Sequence, residues 1–134
     1  MYPGFDENLE KKLSDFGVVT CYLFGSQARG DAGPRSDYDI GVLLDDSVSS
    51  EKYFDIKLVL MHEFGAFFRT NAVDVVILNE APPLLAMNII SDGKVLFEAD
   101  HAERIDFETR TTMRYLDRLP YERRRMEYLL KSYD

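Results

Sequence analysis

Apolar positions along this chain switch between a helical and an alternating period, and the switches mark out its elements. Over Glu7–Phe16, Leu9, Leu13 and Phe16 recur at helical spacing, and Gly17 follows as a stop. Val18–Phe24 reads Val-Val-Thr-Cys-Tyr-Leu-Phe, a nearly continuous apolar and β-branched run that predicts a strand buried on both faces. Gly25–Ser36, with three glycines and a proline, is a polar turn region. Asp37–Leu44 alternates again. Asp37, Asp39, Gly41 and Leu43 share one face, and Tyr38, Ile40, Val42 and Leu44 the other.

Asp45–Ser50 reads as a loop in which Ser49 or Ser50 caps the next helix. That helix is expected from Glu51 to Phe68, with Phe54, Leu58, Met61 and Phe64 or Gly65 facing inward. Val73–Leu78 is a third strand, Pro82-Pro83 opens a short helix through Ile90, and Asp92-Gly93 turns into a fourth strand, Lys94–Glu98. From Ala102 to Tyr133 the pattern is helical but is expected to break at Pro120. Ile105, Thr109, Thr112, Leu116 and Leu119 form the stripe before it; Tyr121, Met126, Leu129, Leu130 and Tyr133 supply apolar surface after it. This order predicts an α/β (α+β) class: a small mixed β-sheet of four strands flanked by helices, with C-terminal helices. One domain over residues 1–134 is expected, its core near 7–98 and a helical extension near 102–133.

Composition narrows the function. The chain has 134 residues, 46% hydrophobic and 30% charged, which is ordinary for a globular domain long enough to own a core. No apolar run approaches the ~20 residues that span a bilayer, and the N-terminus lacks signal-peptide regions, so no membrane is expected and the cytoplasm is the default compartment. Cys21 is the single cysteine, which excludes an internal disulfide and a thiolate cluster. His62 and His101 stand apart without metal-ligand spacing and read as surface or helix-packing residues. Residues 1–103 carry 8 Lys/Arg against 18 Asp/Glu, and residues 104–134 carry 8 against 6. So acidic a body repels a bare phosphodiester backbone, and direct nucleic-acid binding is not expected. A nucleotide triphosphate would need a divalent cation to approach it.

Between the first two strands lies the segment that carries chemistry. Gly25-Ser26, ten residues, then Asp37-Tyr38-Asp39 puts a phosphate-tolerant turn at one strand's end and two carboxylates on one face of the next. Hard oxygen ligands beside a phosphate cradle describe a metal–nucleotide site. Nucleotidyl transfer is best served by three carboxylates and two Mg²⁺ ions, and Asp74 is a third candidate, the one charged residue in an apolar strand run. The alternatives for Asp74 are a solvated strand end or a pair with Arg69. Gly25 and Ser26 would hold the β- and γ-phosphates. Arg29 can reach the same phosphates with its fork of donors, or it pairs with Asp31 or Asp37. Ser36 would position Asp37 or touch phosphate. Neither G-x-x-x-x-G-K-[ST] nor G-x-G-x-x-G occurs.

Gly25-Ser26-x10-Asp37-x-Asp39, with Ala28-Arg29-Gly30 inside it and Asp74 on a later strand, resembles the minimal nucleotidyltransferase family of the polymerase-β-like superfamily. The likeness covers roughly residues 7–98. It implies the nucleotidyltransferase fold, ATP as donor and Mg²⁺ on Asp37, Asp39 and Asp74. It also implies a role for a chain this size: an antitoxin that adds AMP to a tyrosine of a cognate HEPN-domain ribonuclease toxin. The tail fits a protein partner. Arg123, Arg124 and Arg125, interleaved with Tyr115, Tyr121, Tyr128 and Tyr133, make a surface rich in arginine and tyrosine, or else the exposed face of helices that cover the sheet. Two further readings stand beside the toxin: a small-molecule acceptor such as an aminoglycoside, and a non-catalytic module that blocks a toxin by binding it.

Overall fold

The computed structural model describes residues 5–30, 33 and 37–132. Helix α1 (Glu7–Asp15) starts where the Leu9 N–H donates to Asp6 Oδ1 at 2.7 Å and packs Leu9 and Leu13 inward. Strand β1 (Val18–Phe24) follows, buried at every position but its last. A four-residue helix, α2 (Ser26–Arg29), occupies part of what the sequence presents as a turn region. Strand β2 (Tyr38–Leu44) begins one residue later than expected, so Asp37 stands just ahead of it. A 3₁₀ turn, Ser50–Lys52, leads into α3 (Tyr53–Phe68). Strand β3 (Val73–Ile77), a 3₁₀ turn, helix α4 (Pro83–Asp92), strand β4 (Lys94–Glu98) and helix α5 (His101–Lys131) complete the order.

The four strands form one mixed sheet in the order β3-β2-β1-β4. β1 is antiparallel to both neighbours, while β2 and β3 run parallel, joined by the crossover that α3 provides. One sheet face presents Leu23, Ile40, Val42 and Val75 to α1 and α3; the other presents Tyr22 and Leu43 to Ile89 of α4 and Phe107 of α5. β3 is shorter than β2, and Asn79 makes up the difference. Its side chain accepts from the Leu44 N–H and donates to the Leu44 carbonyl, both at 2.8 Å, continuing the ladder where β3 has ended.

Two expected apolar stripes differ from the observed ones. On α3 the inward residues are Ile56, Leu60 and Phe64, whereas Phe54 is 67% exposed and Leu58 49%. The helix is apolar on both sides, so spacing alone offers two equivalent stripes. On α5 the buried residues are Phe107 and Thr111, and Ile105 and Leu116 face outward. A polar network fixes this rotation. The Tyr22 hydroxyl donates to Glu108 Oε2 at 2.7 Å, and Arg104 bridges Glu108 and Glu98. Burial and the Glu108 carboxylate push the Tyr22 phenol well up.

Helix α5 also runs unbroken through Pro120 for 31 residues, about 46 Å at 1.5 Å per residue. A proline interrupts a helix by leaving the carbonyl four residues back without a donor. That residue here is Leu116, 51% exposed on a stretch open to solvent, where water can take the place of the missing donor. The Arg118–Glu122 pair at 3.3 Å spans the proline, and every side chain from Pro120 to Ser132 is exposed.

Candidate active site

Register puts the candidate carboxylates together. Asp39 is the Cα partner of Asp74 on β3 and, on its other side, of Phe24 on β1. Residues paired across neighbouring strands project to the same face, about 4.8 Å apart. Asp37, two residues before Asp39, adds its charge from the same edge. Asp39 is half-buried, and its carboxyl is raised above the ordinary range first by desolvation, then by Asp74, then by Asp37. Each cause disfavours the ionised form, and together they make a place short of positive charge. As the side chains stand, no three His, Cys, Asp or Glu residues among those described converge into a ready-made metal cage. The donor set nonetheless fits a hard divalent cation: adjacent carboxylates, half in water, with their mutual repulsion uncompensated.

Asp74 reaches this position by a different route from the one its neighbours suggest. It is exposed, at the second residue of β3, with Val73 and Val75 buried on the opposite face. Burial cost therefore does not mark it; pairing with Asp39 does. No ion pair joins it to Arg69 among the described residues. Asp45 and Asp46 follow the other end of β2, about 20 Å of strand away, and cannot serve as a third ligand in its place.

Gly25 links the carboxylates to α2. It sits at φ 74° and ψ −156°, a conformation open to glycine alone, and its carbonyl accepts from the Ala28 and Arg29 N–H groups to start the helix. A Cβ at Gly25 would lie 2.5 Å from Asp39 Oδ2. The sequence suggests glycine here for close approach of phosphate; the structure adds that the absent side chain makes room for Asp39. Ser26 is the first residue of α2, half-buried, and Arg29 is the last, exposed. Ser36 lies outside the described residues. Arg123, Arg124, Arg125 and Tyr128 are all exposed on the distal part of α5, where the Arg124 guanidinium lies 5.3 Å from the centre of the Tyr121 ring.

One contributor escapes sequence reading. Tyr38, between the two aspartates, stacks on Phe68 at the end of α3, centroids 4.2 Å apart and planes at 20°. Its N–H donates to the Ala72 carbonyl at 2.8 Å. These contacts hold the start of β2, and with it the spacing of Asp37 and Asp39. They join residues 30 and more positions apart, and no local pattern announces them.

A mixed sheet with paired carboxylates on neighbouring strands and a glycine-started helix at the adjoining strand end defines a nucleotidyltransferase architecture. The family model for Polymerase beta, Nucleotidyltransferase matches residues 7–102, and the chain belongs to that family. Among curated proteins, the protein adenylyltransferase MntA of Aphanizomenon flos-aquae (strain 2012/KM1/D3) is 32% identical over 118 residues, covering 78% of this chain and 73% of that one. Among solved structures, a toxin–antitoxin with AMP-PNP superposes with a TM-score of 0.73 at 24% identity, covering 94% of this chain and 99% of the other. A tri-AMPylated Shewanella oneidensis HEPN toxin in complex with an MNT antitoxin gives 0.64 at 20% identity, covering 92% and 98%. At those identities the structures speak for the fold. No helix among the described residues is long and apolar enough to cross a membrane.

Proposed function

We propose that this chain is a cytoplasmic antitoxin that transfers AMP from ATP to a tyrosine of a cognate HEPN ribonuclease toxin. The observation that carries the reading is the Asp39–Asp74 pair beside Gly25, on a sheet edge open to a protein acceptor. The relative named as a protein adenylyltransferase supports the donor and the reaction. The toxin–antitoxin complexes of like fold support the partner.

Asp37, Asp39 and Asp74 would hold Mg²⁺, which when bound neutralises triphosphate charge and lowers the pKa of the attacking hydroxyl. Gly25 and Ser26 receive the β- and γ-phosphates, with Arg29 and Ser36 as further phosphate contacts. The tyrosine oxygen forms its bond to the α-phosphorus as the bond from that phosphorus to the bridging oxygen breaks, and pyrophosphate leaves in line. Asp74 lies exposed on the edge strand, where it would meet an incoming tyrosine and help activate its hydroxyl, whose proton passes to a carboxylate or to solvent.

Incubation of the purified pair with each of the four nucleoside triphosphates and magnesium, read by intact mass, tests this directly. AMP-sized increments on the toxin are expected with ATP. Adducts of UMP or GMP, or full transfer by the Asp37→Ala/Asp39→Ala double variant, would overturn the reading. The distal α5 surface is assigned to toxin docking. Reversing Arg123, Arg124 and Arg125 to glutamate should weaken the complex at least tenfold by calorimetry while leaving Mg·ATP affinity unchanged. Unchanged toxin affinity would make this run a solvated helix face.

A further inference from the structure

Helix α3 carries a second row of apolar residues, and nothing among the described residues covers it. Phe54 (67% exposed), Leu58 (49%) and Val59 (37%) lie on it, and His62 and Ala66 continue the i, i+4 row. The opposite face is already committed to the core through Ile56, Leu60 and Phe64. Asp55 interrupts the outer face, but an exposed apolar row of this length marks a contact surface.

The shape of the face says what covers it. At the N-terminal end Phe54 projects as a knob. At the other end a surface cavity of about 620 Å³ is lined by Met61, His62, Gly65, Ala66, Arg69 and Thr70. The glycine there is forced by fold, since a Cβ at Gly65 would lie 2.8 Å from the Thr70 carbonyl oxygen. Knob and cavity are 12 residues apart, about 18 Å along the axis. Two such helices packed antiparallel about a two-fold axis near Leu60 set each Phe54 over the other's Ala66, and each Leu58 against the other's His62. The same two-fold would set Glu51, in the turn before α3, near the level of the other copy's Arg69, just past its end. Both are exposed, and neither is in an ion pair among the described residues.

We propose that α3 is a homodimer interface, its occupant a second copy of this chain. A two-fold contact must be self-complementary, and this face is so in shape and in charge. Its Phe54 end also lies away from the carboxylates. Asp39 is on the sheet face that packs on α4 and α5, while α3 covers the other, and Phe54 is at the opposite end of α3 from Phe68, which stacks on Tyr38.

Sedimentation of the chain alone should give a dimer, and Phe54→Glu or Ala66→Arg should each give a monomer. Glu51→Arg should weaken self-association about tenfold, and adding Arg69→Glu should restore it, because the swapped pair is again opposite in sign. A chain carrying Phe54→Cys and Ala66→Cys should form a covalent dimer on oxidation, with Cys21 buried and out of reach. A monomeric wild type would overturn the proposal, as would a dimer that survives Phe54→Glu. So would variants that lose toxin affinity while their self-association is unchanged, since the face would then belong to the toxin. Each readout is independent of AMP transfer, so failure here is distinguishable from failure of the catalytic reading.

Discussion

Strand β2 has a cluster of aspartates at each end, and the two clusters do opposite things. At its start stand Asp37 and Asp39 with Asp74 across the ladder; after its end stand Asp45 and Asp46, near Glu103 and Asp106 of α5. Each end also has a positive-φ glycine beside it, Gly25 at 74° and Gly17 at 81°. The difference lies in what surrounds the charge. Asp45 Oδ1 accepts from the Ser47 N–H at 2.9 Å, and that bond holds its carboxyl below the ordinary range. Asp39 is desolvated and faced by two like charges, and its carboxyl is held above it. At the far end the turn satisfies Asp45, although desolvation, then Asp100, Asp45 and Asp46, raise the neighbouring Glu103 carboxyl. The start of the strand leaves its charge for something positive to satisfy. Carboxylate count does not identify a site of this kind; uncompensated carboxylates do.

The largest effect should separate the two ends outright. Asp39→Asn removes a proposed metal ligand while keeping the side chain's shape, and transfer should fall by about a thousandfold or more, as for loss of a group that acts on the transition state. Asp45→Asn/Asp46→Asn should leave transfer within about twofold, since those groups lie about 20 Å along the strand from the pair. Steady-state rates with ATP, magnesium and the toxin decide it. Equal losses at the two ends would break the comparison.

The glycines make a matched pair of smaller tests. Alanine at either one must adopt a backbone that L-residues avoid, costing about 1–3 kcal/mol. At Gly17 the new Cβ meets only the Val48 Cγ2 methyl, 2.7 Å away; at Gly25 it meets Asp39 Oδ2 at 2.5 Å. Both variants should melt several degrees lower. Only Gly25→Ala should also lose transfer, by about a hundredfold, because displacing a ligand by an ångström costs on that order. Similar melting losses with a similar fall in rate would show that activity tracks stability alone.

Much of this was legible in the chain, and the limits have physical causes. The fully apolar run Val18–Phe24 announces a central strand, and the alternation after Asp37 places both aspartates on one face. The Asp39–Asp74 pairing is a matter of strand order, which no local pattern encodes, so Asp74 could be proposed only from its setting. Helix rotation was misread twice for one reason. An amphipathic pattern reports the inward face only when the other face is polar, and α3 and α5 keep apolar residues on both. Pro120 misled because a proline's cost depends on whether water can reach the orphaned carbonyl, which is a tertiary fact.

The smallest effect is in stability against pH, where the two ends should differ in sign. Asp39 has its folded pKa raised, so between the ordinary aspartate value, about 3.9, and that raised value the folded state holds more protons than the unfolded one. Stability from this group therefore falls as pH rises through the window, and at neutral pH its ionisation is a net cost. Asp45 has its folded pKa lowered, so its contribution is present above the ordinary value and is lost as pH falls through the lowered one. Asp39→Asn should accordingly raise the melting temperature at neutral pH, with the gain shrinking as the solution is acidified through the carboxylate range. Asp45→Asn should lower it slightly at neutral pH, its hydrogen bond lying at the surface, and that difference too should vanish in acid. Melting curves of the three chains without added metal, from neutral pH downward, supply the comparison. Shifts of the same sign would mean that the uncompensated charge at the start of β2 is not a feature of the folded protein, and the contrast between its two ends would lose its basis.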